Sequence, residues 1–269
     1  RVKILKKMIN SPIINVMTAA AHKAARSLIR DYGEVQNLQV SVKGPGDFVS
    51  AADLKAEQIL IYELNKARPD FTILSEERGT IIGKDESTRW VIDPLDGTTN
   101  FLHGIPHFAI SIGLEKNKEI IAGIIYDPVK DEMFCSERGQ GSFLNNQRIR
   151  VSSRRSLKNS IIATGIPWGA KDKNDKYLKQ LVPIMDNSAG IRRFGVASLD
   201  LAYVASGRFD GYWESNLNLW DICAGILLVK EAGGLITDFE GEKKYLENKN
   251  LLASNSGINE QLLKVFLSI

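Results

Sequence analysis

Histidine and cysteine are scarce in this 269-residue chain, at three and two copies respectively. Cys135 and Cys223 show no CxxC spacing and have no histidine pair nearby. This argues against a zinc site or a disulfide framework and fits a reducing cytoplasm. No large excess of one charge is present either. The formal net charge of +3 is too small to make nucleic acid an expected partner. The densest basic stretch, Arg148, Arg150, Arg154, Arg155 and Lys158, is interleaved with polar residues and reads as a solvated face. No apolar run approaches the ~20 residues that cross a bilayer, so no membrane association is expected. Residues 1–10 lack the long apolar core and cleavage site of a secretory leader.

Several motifs are missing as well. Gly83-Lys84 is followed by Asp85, which rules out a Walker loop, and neither HExxH nor GxSxG occurs. Counted from Asp93, an EF-hand would need Gly where Thr98 stands and Glu where Gly104 stands.

What the chain does carry is an ordinary globular composition, 43% apolar and 25% charged, with ample length for a core. Its first half reads as helices near Ser11 to Gly33 and Ser50 to Ala67, with a short strand at Gln39 to Lys43 before a Gly44-Pro45-Gly46 turn. Leu54, Ile59, Leu60, Ile61 and Leu64 form the expected buried side of the second helix. Strands follow at Phe71 to Ser75 and Trp90 to Asp93. An antiparallel series then runs through Ala109 to Leu114, Ile120 to Tyr126 and Glu132 to Ser136, and Asn145-Asn146-Gln147 marks a reversal. Beyond Ser153 strands and helices alternate. The fold class expected is α/β, with an α+β N-terminal half, in a layered αβαβα sandwich. A single domain over 1–269 would have subdomains of about 1–155 and 156–269.

The informative segment is Trp90-Val-Ile-Asp-Pro-Leu-Asp-Gly-Thr-Thr-Asn-Phe101. An apolar strand ends in Asp93, and Asp96-Gly97-Thr98 then opens a helix. Two carboxylates beside free backbone N–H groups suit a hard cation and a phosphate. A capping role for Asp96 or Thr98 explains one residue but not the pair. An acid-rich, histidine-poor set selects Mg²⁺ or Mn²⁺. Further ligands could come from Glu76 in Ser75-Glu76-Glu77, from Asp53 in Ser50-Ala-Ala-Asp53, or from Asp221 after Trp220. Taken singly, each has a plain alternative: Glu76 as solvated surface, Asp53 and Asp221 as acids favoured in a helix's first turn.

Taken together, Lys43 to Asp53, Ser75-Glu76-Glu77, Trp90 to Phe101, Gly207-Arg-Phe-Asp-Gly-Tyr212 and Trp220-Asp221…Glu231-Ala-Gly-Gly234 resemble the ordered motifs of the inositol monophosphatase family. The resemblance runs from about residue 11 to the end. It implies two or three Mg²⁺ ions. Glu76, Asp93 and the Leu95 carbonyl would hold the first, and Asp93, Asp96 and Asp221 the second. A weaker third would sit near Glu76. Thr98 and Asp53 match the pair that positions the attacking water. Gly97 and Thr98 match backbone donors to phosphate, and Asp96, Ala197 and Glu214 fall on the substrate side. The resemblance also implies a small phosphorylated polyol or sugar as substrate, lithium inhibition and a homodimer. Some bacterial members associate with the transcription machinery. Asn218, where animal members carry His, places the chain nearer bacterial members. His22, His103, His107, Trp168 and Cys223 read as structural. Arg192 and Arg193 read as a strand end that could also meet a second phosphate.

Overall fold

The computed structural model describes residues 11–34, 40–44, 47–166 and 171–268. Gln39, the Pro45-Gly46 turn and Trp168 lie outside the described residues. Helix α1 (Pro12–Tyr32) begins where the Ser11 hydroxyl accepts from the Ile13 N–H at 3.2 Å, with Pro12 at its first position. Strands β1 (Val40–Gly44) and β2 (Asp47–Ser50) form an antiparallel hairpin that leads into α2 (Ala51–Ala67). Helix α2 packs on α1 and buries Ala52, Ala56, Leu60 and Leu64. Leu54 does not join that side: it is 47% exposed. It sits two positions from both Ala52 and Ala56, which on a helix turns it to the far flank. Ile59 and Ile61 are partly buried.

An eight-stranded sheet follows, built from β3 (Phe71–Ser75), β4 (Gly79–Ile81), β5 (Asp85–Asp96), β6 (Ala109–Lys116), β7 (Glu119–Asp127), β8 (Glu132–Glu137), β9 (Gly141–Leu144) and β10 (Gln147–Ile149). Helix α3 (Thr98–Leu102) interrupts the series after β5. The spatial order is β10-β9-β8-β7-β6-β5-β3-β4, with every pair antiparallel except β3 and β5. The Asn145-Asn146 reversal is a tight turn between β9 and β10, both asparagines at positive φ (45° and 64°). Strands β4 and β9 are too short and too rich in Gly, Ser and Thr to show in the hydrophobic pattern.

A second, five-stranded sheet has the order β12-β11-β13-β15-β14. Its strands are β11 (Ile161–Thr164), β12 (Gly190–Arg192), β13 (Gly211–Ser215), β14 (Leu235–Thr237) and β15 (Asn250–Ser254). Helices α4 (Lys171–Asn187), α5 (Ala197–Ala205), α6 (Leu219–Glu231) and α7 (Asn259–Leu267) complete the chain. One apolar cluster joins α1 and α2 to the large sheet through Met17, Leu28, Leu60, Trp90 and Ile112. A second holds α5 and α6 between the sheets through Leu199, Leu201, Tyr212, Ile226 and Leu228. A third joins α4 and α7 to the outer side of the small sheet through Tyr177, Trp213, Leu252 and Phe266. The layers therefore run αβαβα, as the sequence predicts. Close approach of the central layer to the large sheet needs glycine. A Cβ on Gly113 would stand 2.3 Å from the Cys223 sulfur, and one on Gly123 would stand 2.8 Å from the Ala224 Cα.

A candidate metal centre and active site

Strand β5 carries the two aspartates at the end of a bulge. Asp93 pairs with Ser111 and Asp96 with Ala109, so three steps along β5 are matched by two along β6. In a regular strand, residues three apart point to opposite faces; the extra residue restores a common side. Pro94 sits inside the bulge, where its missing N–H costs no ladder bond. The Leu95 N–H closes the bend by donating to Asp93 Oδ1 at 3.0 Å.

The neighbouring strand delivers Glu76. Because β3 runs parallel to β5, with Ser75 beside Ile92, both strands end on the same edge. The Glu76 N–H extends the ladder to the Ile92 carbonyl at 3.3 Å. Glu57, which the sequence reading passes over, pins this strand end from α2. It accepts from the Ser75 hydroxyl and from the N–H groups of Glu77 (3.2 Å) and Arg78 (3.0 Å), and it pairs with the Arg78 guanidinium at 3.2 Å. Its signal was available: an acid at helical spacing between Asp53 and Leu60, on a face otherwise apolar.

Asp221 arrives from the first turn of α6, where it accepts from the Asn218 N–H at 2.7 Å, as a capping acid would. The Ser111 hydroxyl donates to the Trp220 carbonyl at 3.5 Å, and Ser111 is the residue that pairs with Asp93. These links bring Asp221 to the same strand end. The result is electrostatic crowding. Burial, and then the negative charges of Glu76, Asp96 and Asp221, push Asp93 well above the usual carboxylate range. Burial, Asp96, Glu76 and Glu214 do the same to Asp221, despite its bond from Asn218. Asp96 is raised by burial to about 6, against bonds from the N–H groups of Ser198 (2.7 Å) and Ala197. Among the described residues, no three His, Cys, Asp or Glu side chains stand in a ready metal-holding arrangement. The donor set nonetheless fits a hard dication: it consists of carboxylate and carbonyl oxygens, and the charged groups acting on Asp93 are all acids.

Across from these acids, Ser50 and Asp53 cap α2 reciprocally. The Ser50 N–H (3.0 Å) and hydroxyl (2.5 Å) donate to Asp53 Oδ2, and the Ser50 oxygen accepts from the Ala52 N–H at 3.2 Å. The other Asp53 oxygen accepts from the Thr98 hydroxyl at 2.8 Å, a contact spanning 45 residues. The Leu95 carbonyl lies 3.1 Å from the same hydroxyl. Asp53 is 1% exposed, and burial raises its pKa more than these bonds lower it. Gly97, before Thr98, sits at φ 96°, and a Cβ there would come within 2.8 Å of Val196. Helix α3 is only five residues long. What it offers is therefore individual N–H groups rather than a strong dipole.

On the side of the small sheet, Glu214 projects from β13 and accepts from the Tyr212 hydroxyl at 2.5 Å. Burial, with Asp96 adding, raises it to about 7. Gly165 gives it room, since a Cβ there would stand 1.8 Å from the carboxyl carbon. Ala197 opens α5 and is buried. Arg193 is exposed, and its charge acts on Glu214 and Asp200. His103 is exposed, His107 packs on Phe194 and Tyr203, and His22 lies edge-on to Tyr126. The five basic residues from Arg148 to Lys158 are exposed, with Arg154 paired to Asp210 at 3.1 Å.

The sequence matches the inositol monophosphatase family over residues 9–268. It is 53% identical over 257 residues to an inositol-1-monophosphatase of Mesorhizobium japonicum, covering 96% of this chain and 97% of that one. It is 43% identical over 256 residues to the Nus factor SuhB of Pseudomonas aeruginosa, covering 94% of each. The fold matches the crystal structure of the extragenic suppressor protein SuhB from Bartonella henselae with a TM-score of 0.93 and 56% identity, covering 95% of this chain and 98% of that one. The chain belongs to the inositol monophosphatase family.

Proposed function

We propose that this chain is a Mg²⁺-dependent phosphomonoesterase that hydrolyses myo-inositol monophosphate or a similar small sugar or polyol phosphate. The observation that carries the reading is the Thr98–Asp53 hydrogen bond of 2.8 Å, placed beside four mutually repelling carboxylates. Glu76, Asp93, Asp96, Asp221 and the Leu95 carbonyl would hold the ions, two or three in number. Bound dications neutralise a phosphate dianion and lower the pKa of water at that place.

The chain's own residues supply the rest. The Thr98 hydroxyl gives its proton to Asp53, so its remaining lone pairs are the ones offered to an incoming water. A buried Asp53 with a raised pKa is a better proton acceptor than an exposed aspartate. The N–H groups of Gly97 and Thr98 serve the phosphate oxygens. Glu214 and the Ala197 backbone meet hydroxyls of the leaving group. Both cysteines are buried, and burial raises the Cys135 thiol to about 11 and pushes the Cys223 thiol up further still, which makes them poor nucleophiles.

The same reading carries lithium inhibition, a cytoplasmic location and a homodimer. A second reading is supported by the relatives named Nus factor SuhB: a binding role with the transcription machinery, alongside or in place of catalysis. Fructose 1,6-bisphosphate or a nucleotide phosphate as main substrate is the remaining alternative within the enzyme class. A phosphate-release screen with Mg²⁺ over inositol phosphates, fructose 1,6-bisphosphate and adenosine 3′,5′-bisphosphate separates these. Release from the inositol phosphates is expected; release from none of the panel would favour the binding role.

A further inference from the structure

A cavity of about 200 Å³ opens at the carboxyl ends of β11 and β13, on the α4 side of the small sheet. The two strands run parallel and so end on one edge, the edge of an α/β sheet where ligands bind. Glu214 forms one wall of the cavity. Tyr177 and Trp213, stacked with ring centroids 6.3 Å apart, form its floor. The space far exceeds what one or two waters fill, at about 10–15 Å³ each. Apart from Glu214, the chemistry above makes no use of this lining.

Much of the rest of the lining donates hydrogen bonds. Gln180 is 4% exposed and lies on the face of α4 that buries Tyr177 and Ile184, where an apolar side chain would pack. Among the described residues its amide has no hydrogen-bond partner, a cost that a bound ligand would remove. Lys176, one turn before it, and Lys249, just before β15, add two ammonium groups. Neither is in an ion pair among the described residues. Asn250 accepts from the Phe239 N–H at 3.0 Å through its side-chain oxygen, which leaves its NH₂ group for the cavity. Glu214 is the single acid of the lining.

Acid and bases stand at opposite ends. Asn250 pairs with Ser215, one residue beyond Glu214 on β13, and the Lys249 carbonyl accepts from the Asn216 N–H at 2.6 Å, two residues beyond. At ~3.3 Å per strand residue, the Lys249 backbone is about 7 Å past Glu214. Lys176, Gln180 and Asn250 also border a second cavity of about 480 Å³ toward α7, which marks them as the outer end of the first. We propose that the cavity is a subsite for a second anionic group on the leaving alcohol: a phosphate or carboxylate held by Lys176, Lys249 and Gln180, with hydroxyls of the alcohol toward Glu214. Ammonium groups act as point charges on either anion, and the amide adds a directed donor. The ligand class is a phosphorylated sugar or polyol that ends in an anion.

This inference rests on the phosphatase reading, and the test separates the two. Phosphate release by the full chain with Mg²⁺ is measured on two substrate pairs: fructose 1,6-bisphosphate against fructose 1-phosphate, and gluconate 6-phosphate against glucitol 6-phosphate. Each pair differs in the distal group alone. The wild-type chain should favour the more anionic member of at least one pair, and the pair it discriminates tells phosphate from carboxylate. The double variant Lys176→Gln, Lys249→Asn should lower kcat/KM for that member about tenfold, through KM, and leave the other within about twofold. Asn suits the positive φ of 49° at position 249. Lys158→Gln, on an exposed face elsewhere, should alter neither. Gln180→Leu should raise KM for the same member without lowering the melting temperature, since Leu fits the apolar face of α4. No preference in either pair, equal losses on both members, an equal effect of Lys158→Gln, or an unchanged KM in Gln180→Leu would overturn the proposal. If the wild-type chain turns over none of the four, the phosphatase reading fails for sugar phosphates. Calorimetric binding of fructose 1,6-bisphosphate and gluconate 6-phosphate then decides the subsite: about tenfold weaker binding of either in the double variant supports it, and equal binding of both overturns it.

Discussion

Thr98 shows how little of a residue's role lies in its identity. In the sequence it is a threonine after Gly97, equally suited to a helix cap. In the structure its hydroxyl leaves its own helix and donates to Asp53, 45 residues away. The account predicts that Thr98→Ala lowers kcat about 100-fold, the lower range for losing a positioned proton-transfer group. The Mg²⁺ concentration for half-maximal activity should change little, because Thr98 is not assigned to an ion. A kinetic titration with Mg²⁺ checks both. Asp93, Asp96 and Asp221 are legible in the sequence because acids at the ends of apolar runs stand out. Leu54 misleads because an apolar residue on a helix is read as buried, while its exposed flank depends on how α1 and α2 meet. Glu57 stays hidden for the opposite reason: a buried acid looks like a surface acid until its neighbours are known.

At the scale of elements, two devices turn the spacing into a site. One is the β5 bulge, which brings Asp93 and Asp96 to a common side. Nothing in the local sequence besides Pro94 signals it, since a bulge is a property of the strand pair. The other is the Glu57 anchor between α2 and the end of β3. Replacing Glu57 by Leu would leave the Glu77 and Arg78 N–H groups and the Ser75 hydroxyl without their acceptor. The expected cost is about 2–3 kcal/mol, with the half-exposed Arg78 pair contributing little. For a chain of this size that lowers the melting temperature by roughly 4–10 °C. Since Glu76 follows Ser75, the Mg²⁺ needed for half-activity should rise as well. Calorimetry and a metal titration test the two effects. A stable variant with unchanged metal dependence would show that β3 holds its register without α2.

For the whole molecule, five layers bring residues from 53 to 221 to one strand edge, and the acids meeting there make the metal-free protein sensitive to pH. Asp96 is raised to about 6 from an ordinary value of 3.8, and Asp53, Asp93 and Asp221 are raised too. Such groups bind more protons folded than unfolded. Their contribution to stability is therefore full at acid pH and is lost as the pH climbs through the folded-state values. With a chelator present, the Asp96 part of this stability should fall between about pH 4 and pH 6, and the other three aspartates should add to the loss as the pH rises. On the proposed reading, bound Mg²⁺ would stabilise the charged form and should close the gap. Melting curves across pH, with and without Mg²⁺, measure this directly. The layer order is readable from the sequence because the alternation of apolar runs changes texture after Ser153. The choice of leaving group is not, because it depends on how Glu214, Gly165 and α5 pack together.

The central claim is that Asp93 is shared by the ions that drive phosphate-ester hydrolysis. The most direct measurement compares the wild-type chain with Asp93→Asn, by Mg²⁺-dependent phosphate release from myo-inositol 1-phosphate and by calorimetric Mg²⁺ binding. Losing a partner one shell outside a metal already costs 10–100-fold, so losing a shared ligand should reduce both turnover and Mg²⁺ affinity by about 100-fold or more. Near-normal turnover and Mg²⁺ binding in Asp93→Asn would contradict the account.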